Sequence, residues 1–313
     1  MQLVELRTFL AVAEEKSFSA AAQRLFITQP AISKRIQSLE NHLGTPLFDR
    51  IGKRVYLTEA GSLLIERAET MLRLAKDTEK EIFNLNDTIS GRLNLATSHH
   101  IGLHRLAPVL KDFSQRYPDV QLDIQFEDSE VAYQMVRSGQ VELAVVTLNP
   151  DDTDLDADLK ANCIWRDPLV FVSSASEPLA TTLQMLAVQP CILPGQATYT
   201  GRIVMDRFAR AGLTLKPTLS TNYLETIGML VSVGLGWSVL PRSMIGDLSA
   251  LEVNCEPISR SLGSVINGKR TLSNSASAFL TVLEDYIIRE DYCWKRQGRC
   301  CSGLLGLEGS CGI

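Results

Sequence analysis

The run Ser17-Phe18-Ser19-Ala20-Ala21-Ala22-Gln23-Arg24-Leu25-Phe26-Ile27-Thr28-Gln29-Pro30-Ala31-Ile32-Ser33-Lys34-Arg35-Ile36 reads as two short helices joined by a tight turn. Ser17 and Ser19 are N-cap candidates for the first of them, and Thr28 for the second. Pro30 falls in that helix's first turn, where a missing N–H costs nothing. Ala20-Ala21-Ala22 are small enough for two helices to approach closely. Ile32, Ile36, Leu39 and Leu43 form an inward stripe, and Gly44 ends the helix. Gln29, Ser33, Lys34 and Gln37 fall on other faces. Those residue types hydrogen-bond base edges and phosphates in a major groove, so the pattern points to a DNA-reading helix-turn-helix.

Upstream, Leu3, Leu6, Leu10 and Ala13, with Phe9 beside them, predict an amphipathic first helix. Downstream, Pro46-Leu47-Phe48-Asp49-Arg50, Gly52-Lys53-Arg54 and Val55-Tyr56-Leu57 predict a short hairpin with a basic tip. An ordinary three-helix bundle with a solvated polar face is the plainer reading, and this basic wing weighs against it. Charge agrees locally: residues 19–58 carry six Lys/Arg (Arg24, Lys34, Arg35, Arg50, Lys53, Arg54) against Glu40 and Asp49, while the whole chain of 313 residues is at −5. A small basic head on an acidic body suits targeted rather than diffuse nucleic-acid binding.

Phe9-Leu10-Ala11-Val12-Ala13, the Ser17–Ala22 and Thr28–Ser33 runs, Ile36-Gln37-Ser38-Leu39-Glu40, Leu43-Gly44, Leu47-Phe48-Asp49-Arg50 and Leu57-Thr58-Glu59-Ala60-Gly61 together closely resemble LysR-type transcriptional regulators. The likeness is dense to Gly61 and continues more weakly to about residue 288. It implies an α+β multidomain chain: a winged helix-turn-helix head (1–58), a long dimerising linker helix (59–89) and a two-lobed α/β effector domain (90–290) like the periplasmic binding proteins. It also implies that DNA contacts come from Gln29, Pro30, Ser33 and Lys34 at the start of the third helix and from Lys53 in the wing, with Arg35 and Arg54 beside them. Arginine is frequent in the family where Lys34 stands; lysine keeps the charge and loses the planar fork.

After Thr58 no proline occurs until Pro108. Leu64, Ala68, Met71, Ala75, Thr78, Ile82 and Leu85 alternate four and three residues apart, a heptad seam with one polar intruder. The rhythm favours a helix that pairs with a second chain, giving a homodimer, with a dimer of dimers as the larger assembly. Two heads would then meet a pseudo-palindromic promoter site on double-stranded DNA.

Strands are expected at Arg92–Thr97, Val120–Phe126, Val141–Val146, Leu169–Val172, Cys191–Leu193, Thr218–Thr221 and Ser238–Leu240, alternating with helices and closed by one near Ser273–Ile288. This predicts a parallel, doubly wound arrangement. Lobe I takes about 90–162 and 267–290 and lobe II about 163–266, with hinge crossings near 147–163 and 265–270. Ligands in such folds sit at strand carboxyl ends against helix N-termini. That places Thr97, Ser98, His99, Ser129, Thr147, Thr198 and Thr200 around a small polar or anionic metabolite, although Ser and Thr also commonly just cap helices.

His99, His100 and His104 have no Cys or carboxylate at ligand spacing, so no metal site is read from the sequence. No cofactor motif, Gly-rich phosphate loop, HExxH or GxSxG occurs and no acid/base pair stands out; the chain is read as a non-enzyme. Cys163 and Cys191 offer an alternative as a redox pair, as in the family's peroxide-sensing branch, without an activating context in sequence. A ligand-binding α/β protein that never touches DNA is the rival of another class. Residues 291–313 hold Cys293, Cys300, Cys301 and Cys311 without periodicity and are expected to be a poorly ordered tail. No signal peptide or apolar run of spanning length occurs, so a cytoplasmic protein with no membrane contact is expected.

Overall fold

The computed structural model describes residues 1–51, 54–85, 88–151, 158–174 and 182–297. Lys53 and the tail cysteines Cys300, Cys301 and Cys311 lie outside them. The chain divides into two compact units, Met1–Asn86 and Asp87–Ile313.

In the first unit, α1 (Leu3–Glu15), α2 (Phe18–Arg24) and α3 (Gln29–Leu43) precede a hairpin of β1 (Phe48–Ile51) and β2 (Arg54–Leu57), and α4 (Glu59–Asn84) follows. Ser17 caps α2 by accepting from Ala20 N. Thr28 is the N-cap of α3 by backbone geometry, yet its side chain makes no cap bond. The core joins Leu6, Phe9 and Val12 of α1 to Ile32, Ile36 and Leu39 of α3, with Leu47 and Phe48 of the wing. Burying each such side chain is worth about 1.5–3 kcal/mol. The buried face of α1 is thus centred on Leu6, Phe9 and Val12; Leu3 is exposed, as is Leu43 at the end of the α3 stripe. Glu40 of α3 accepts from Leu47 N at 2.7 Å and from Phe48 N at 3.3 Å, fixing the hairpin to α3. Gly61 lies so close to the wing that a Cβ there would stand 2.2 Å from the Leu47 carbonyl oxygen.

The 26 residues of α4 span about 39 Å at helical rise. The expected seam is only partly free. Ala68 is buried in the head's own core, with Leu64, Ile65 and Leu72 packed against it. Beyond that, Met71, Leu74, Ile82 and Leu85 are exposed. With Thr78 they keep spacings of three and four, so the open seam begins at Met71 and uses Leu74 in place of Ala75.

In the second unit a seven-stranded sheet runs β10-β6-β11-β5-β3-β4, with β9 also on β6. Its strands are β3 (Gly91–Thr97), β4 (Val120–Phe126), β5 (Leu143–Thr147), β6 (Leu159–Ser173), β9 (Ser238–Pro241), β10 (Ser249–Ala250) and β11 (Ile258–Asn267). A parallel pair, β7 (Ile192–Leu193) and β8 (Leu219–Ser220), stands apart. Helices α5 (His99–Ile101), α6 (Ala107–Arg116) and α7 (Ser129–Ser138) follow the early strands, and a π-helical turn, Gly102–Leu106, joins α5 to α6. Later come α8 (Leu183–Ala187), α9 (Tyr199–Arg210), α10 (Leu224–Ser232) and α11 (Asn274–Gln297).

The parallel expectation holds for β4-β3-β5, for β7-β8 and for the bridge of Cys191 to Trp237. β11 runs antiparallel to both β5 and β6, because it carries the chain back between lobes. The first lobe packs Leu93, Val145, Trp165, Leu262 and Phe279 on one face of its sheet, and Ala96, Tyr133, Val146 and Val265 on the other. The second packs Leu169, Phe171, Phe208, Trp237 and Ile258, with Ile227 and Leu240 in a further cluster. Bulky Trp237 is fully buried, stacked on Phe208, and its Nε1 donates to Leu186 O.

Consequently β6 changes cores between Trp165 and Leu169, and β11 between Ile258 and Leu262. The crossings are two paired strands at these positions, not separate segments near 147–163 and 265–270. A register shift at Leu262/Gly263 interrupts the pairing, where β6 comes close enough that a Cβ on Gly263 would lie 2.1 Å from Asn162 O. The closing helix continues past residue 290, because no glycine or proline intervenes before Gly298.

Candidate DNA-reading face and effector cleft

On the head, Gln29, Pro30 and Lys34 are exposed and Ser33 is half-buried along the first turns of α3. Ser19 Oγ bonds Gln29 Oε1 at 3.3 Å, so α2 orients that amide. Arg35 turns inward: it is half-buried and Nη1 reaches Thr8 Oγ1 of α1 at 3.5 Å. Arg24 is also engaged, by Glu14 and Glu15 of α1. Arg54 begins β2 opposite Ile51. Phe26, which the residue-by-residue reading passed over, is 94% exposed and held at φ 54° in the turn before α3. A fully exposed aromatic beside a reading helix has the apolar surface that meets thymine methyls and sugars.

Of the seven expected effector residues, five line one cleft between the lobes: Ser98, Ser129 and Thr147 from the first, Thr198 and Thr200 from the second. Its volume is about 50 Å³. Thr97 and His99 do not line it. Thr97 is fully buried and its hydroxyl donates to Val145 O at 2.7 Å, a bond within the sheet. His99 is exposed and stands edge-on to Tyr223.

Most hydroxyls here already have work within the fold. Ser129 Oγ accepts from Thr147 N. Thr198 Oγ1 caps α9 by accepting from Gly201 N and donates to Gly195 O. Glu130, from the first lobe, accepts from Tyr199 N at the start of α9. Burial works against the Glu130 charge and raises its pKa. Asn222 Nδ2 donates to Asp128 Oδ2 at 2.6 Å, a second tie across the cleft. The start of α9 is therefore occupied by the protein's own groups. Ser98 differs: it holds the N-cap position of α5 with no side-chain cap bond.

The cleft's strongest group is one the sequence reading missed. Arg260 of β11 is 5% exposed. Its Nε donates to Asp167 Oδ2 and its Nη1 to Thr200 Oγ1, both at 2.9 Å. Its buried Nη2 has no hydrogen-bond partner among the described residues, and neither ring nitrogen of His100 has one. Burial pushes the Arg260 pKa down while Asp167 opposes it; guanidinium stays charged in proteins. Arg105 Nη2 also approaches Asp167 at 3.5 Å. Two guanidinium groups thus face one carboxylate. Burial, with Arg260 second, pushes His100 down to about 3, leaving its ring neutral. A buried, charged donor with an unsatisfied N–H fits an anion, with the two further carboxylates that line the cleft, Asp128 and Glu130, held by Asn222 Nδ2 and Tyr199 N. A larger hollow of about 510 Å³ lies by Leu224, Met229, Met244 and Leu248 but presents Glu225 and Asp247 and, among the described residues, no cation. The signal in sequence was an arginine on the apolar phase of Ile258-Ser259-Arg260-Ser261-Leu262.

Glu225 also meets the histidines: His104 Nε2 lies 3.1 Å from its Oε1, and His99 Nδ1 lies 3.7 Å from its Oε2. The carboxylate absent from their sequence neighbourhood is supplied by α10.

The cysteine alternative fares differently. Cys191 is fully buried in the second lobe's core, and burial pushes its thiol up to about 11. The reactive thiolate is thereby suppressed. Cys163 is exposed, and Cys163, Cys191 and Cys255 are all free thiols.

A winged helix-turn-helix head with a polar reading face, a long helix and two α/β lobes enclosing a cleft define a DNA-binding transcriptional regulator with an effector-binding domain. The sequence profile of the bacterial regulatory helix-turn-helix proteins of the lysR family matches residues 3–62, and that of the LysR substrate binding domain matches residues 86–287. The chain belongs to the LysR family of transcriptional regulators. It is 57% identical over 108 residues, 34% of its length and 75% of the relative's, to an HTH-type transcriptional regulator of the ibpB-leuC intergenic region of Azotobacter vinelandii. It is 35% identical over 253 residues to a probable RuBisCO transcriptional regulator of Thalassiosira pseudonana, covering 78% of this chain and 82% of that one. In fold it is similar to full-length OxyR from Pseudomonas aeruginosa (TM-score 0.64, 22% identity, 92% and 94% of the two chains). CbnR in complex with its target DNA gives a TM-score of 0.57 at 20% identity, over 92% and 99%. Among the described residues no helix is long and apolar enough to cross a membrane.

Proposed function

We propose that this regulator binds promoter DNA as a dimer through α3 and the wing, and that a small anionic metabolite held on Arg260 between the lobes sets its state. The division of labour follows 1–58, 59–89 and 90–290, with no catalytic role and a cytoplasmic location. Gln29, Ser33 and Lys34 read bases, Lys53 and Arg54 position phosphates, and Arg35 supports α3 from behind. The unsatisfied Nη2 of buried Arg260 carries the effector reading. Ser98, Ser129, Thr147, Thr198 and Thr200 surround it, and Ser98 has the hydroxyl left for a ligand. An anion bridging both lobes favours one arrangement by its differential affinity.

Replacing Lys34 or Gln29 by alanine should weaken specific DNA binding by about 1–3 kcal/mol each. Lys53→Ala should weaken binding to all sequences alike and reduce the salt slope by about 1. Anisotropy titrations at several salt concentrations separate the two. Unchanged sequence preference in a Ser33/Lys34 double alanine variant would remove α3 from the reading role.

Calorimetry of the full chain against small mono- and dicarboxylates should find one site per chain. Arg260→Lys keeps the charge but loses the fork, and should weaken it at least about tenfold, or about 1.4 kcal/mol. If uncharged amide analogues bind as tightly as the acids, the anion assignment is wrong.

A further inference from the structure

His100 and His104 are four residues apart on the continuous helical run from α5 through the π-helical turn, so they share a face. Their rings lie 5.0 Å apart, centroid to centroid. Glu225, in the first turn of α10, comes to them from the other lobe. One ligand atom of each of the three lies within 4.8 Å of the other two. A tetrahedral zinc ion with bonds of about 2.0–2.1 Å needs its ligand atoms roughly 3.3 Å apart, so modest rotamer shifts would close the set.

A second observation points to a ligand. His100 is 5% exposed, and neither of its nitrogens makes a hydrogen bond among the described residues; the same holds for the buried Oε2 of Glu225. Buried polar atoms are almost always satisfied. Here unsatisfied atoms of two residues belong to one three-membered cluster, where a cation would satisfy both.

We infer that His100, His104 and Glu225 form a binding site for a divalent transition-metal ion of the zinc class, spanning the two lobes. Two imidazoles and one carboxylate make a borderline donor set that suits zinc, cobalt or nickel and not magnesium or calcium. His104 and Glu225 are partly exposed, which leaves a fourth position for water, with His99 alongside. The ion would hold the start of α10 against the α5 segment and bias the same lobe arrangement that the cleft controls. His100 also lines the cleft of Arg260, whose charge bears on its ring, and the two readings are told apart because the readout here is metal binding itself.

The test is titration of the chelator-stripped full chain with Co²⁺, followed by equilibrium dialysis and visible absorption. One cobalt per chain is expected, with the d–d bands of a nitrogen/oxygen four-coordinate ion and no thiolate-to-cobalt charge transfer. His104→Ala and Glu225→Ala should each weaken binding by more than the roughly 10–100-fold that follows loss of even an outer partner. His42→Ala, which alters the fourth histidine of the chain, in α3, should leave it unchanged. Circular dichroism of each variant checks that the fold is kept. No cobalt uptake, uptake unaltered by both cluster variants, or a spectrum showing thiolate ligation alone would overturn the assignment.

Discussion

Asp167→Ala should destabilise the effector unit by about 3–5 kcal/mol, because it leaves the Arg260 guanidinium buried without its counter-ion. Asp167 is 1% exposed and Arg260 5%, so water cannot replace the lost partner. Arg105 adds to the effect: with Asp167 gone, two guanidinium groups face each other across the vacated position. At about 2–4 °C per kcal/mol for a unit of this size, the melting temperature should fall by roughly 6–20 °C. Tryptophan emission is the probe, since Trp165 and Trp237 both sit in this unit's cores. The double variant Asp167→Leu with Arg260→Met should recover most of the loss, because an apolar pair avoids the desolvation of both charges. That double variant should also lose anion binding. A melt unchanged by Asp167→Ala would show that the pair does not hold the crossing strands together. Recovery of stability with anion affinity intact would show that Arg260 is structural only.

The second large effect belongs to α4. Ile82→Glu should dissociate the dimer, since a carboxylate in an apolar seam is buried unpaired. A loss of about 3–5 kcal/mol corresponds to roughly 10²–10⁴-fold in the dimerisation constant. Leu74→Glu should act alike, as both side chains are largely exposed in the single chain. Leu64 gives the contrast: it packs against the head's core, so Leu64→Glu should unfold the head without first dissociating the pair. Sedimentation velocity reads the outcome. If Ile82→Glu and Leu74→Glu keep the wild-type mass, α4 is not the interface.

The α3 register was legible in sequence because it depends on local spacing. Ile32, Ile36 and Leu39 can be buried only by turning Gln29 and Lys34 outward, and Gly44 stops the helix where it stands. Strands β3 and β4 were legible for the same reason, since apolar and polar residues alternate along them, and β5 because it is a short apolar run. The extent of β6 and the existence of β11 were not. Leu159–Asp167 mixes polar and apolar residues without a clean alternation and Pro168 interrupts the pattern, while Ile258–Asn267 is rich in serine. Long-range pairing makes them strands: with each other, and also β11 with β5 and β6 with β9 and β10. α4 shows the limit of periodicity, since a heptad rhythm specifies a face but not which partner covers it. The head takes Leu64 and Ala68, and the remainder stays open.

The amino-acid sequence by itself determined the family, the reading helix and the polar loops at the strand ends, because each is written in neighbouring residues. What only the tertiary structure decided is which groups in those loops remain available. Thr97 and Thr198 spend their hydroxyls within the fold. Arg260 meets Asp167 across 93 residues, and His104 meets Glu225 across 121. Hydrogen-bond satisfaction and desolvation are properties of atoms close in space, and the sequence carries no record of distances that long-range strand pairing alone creates.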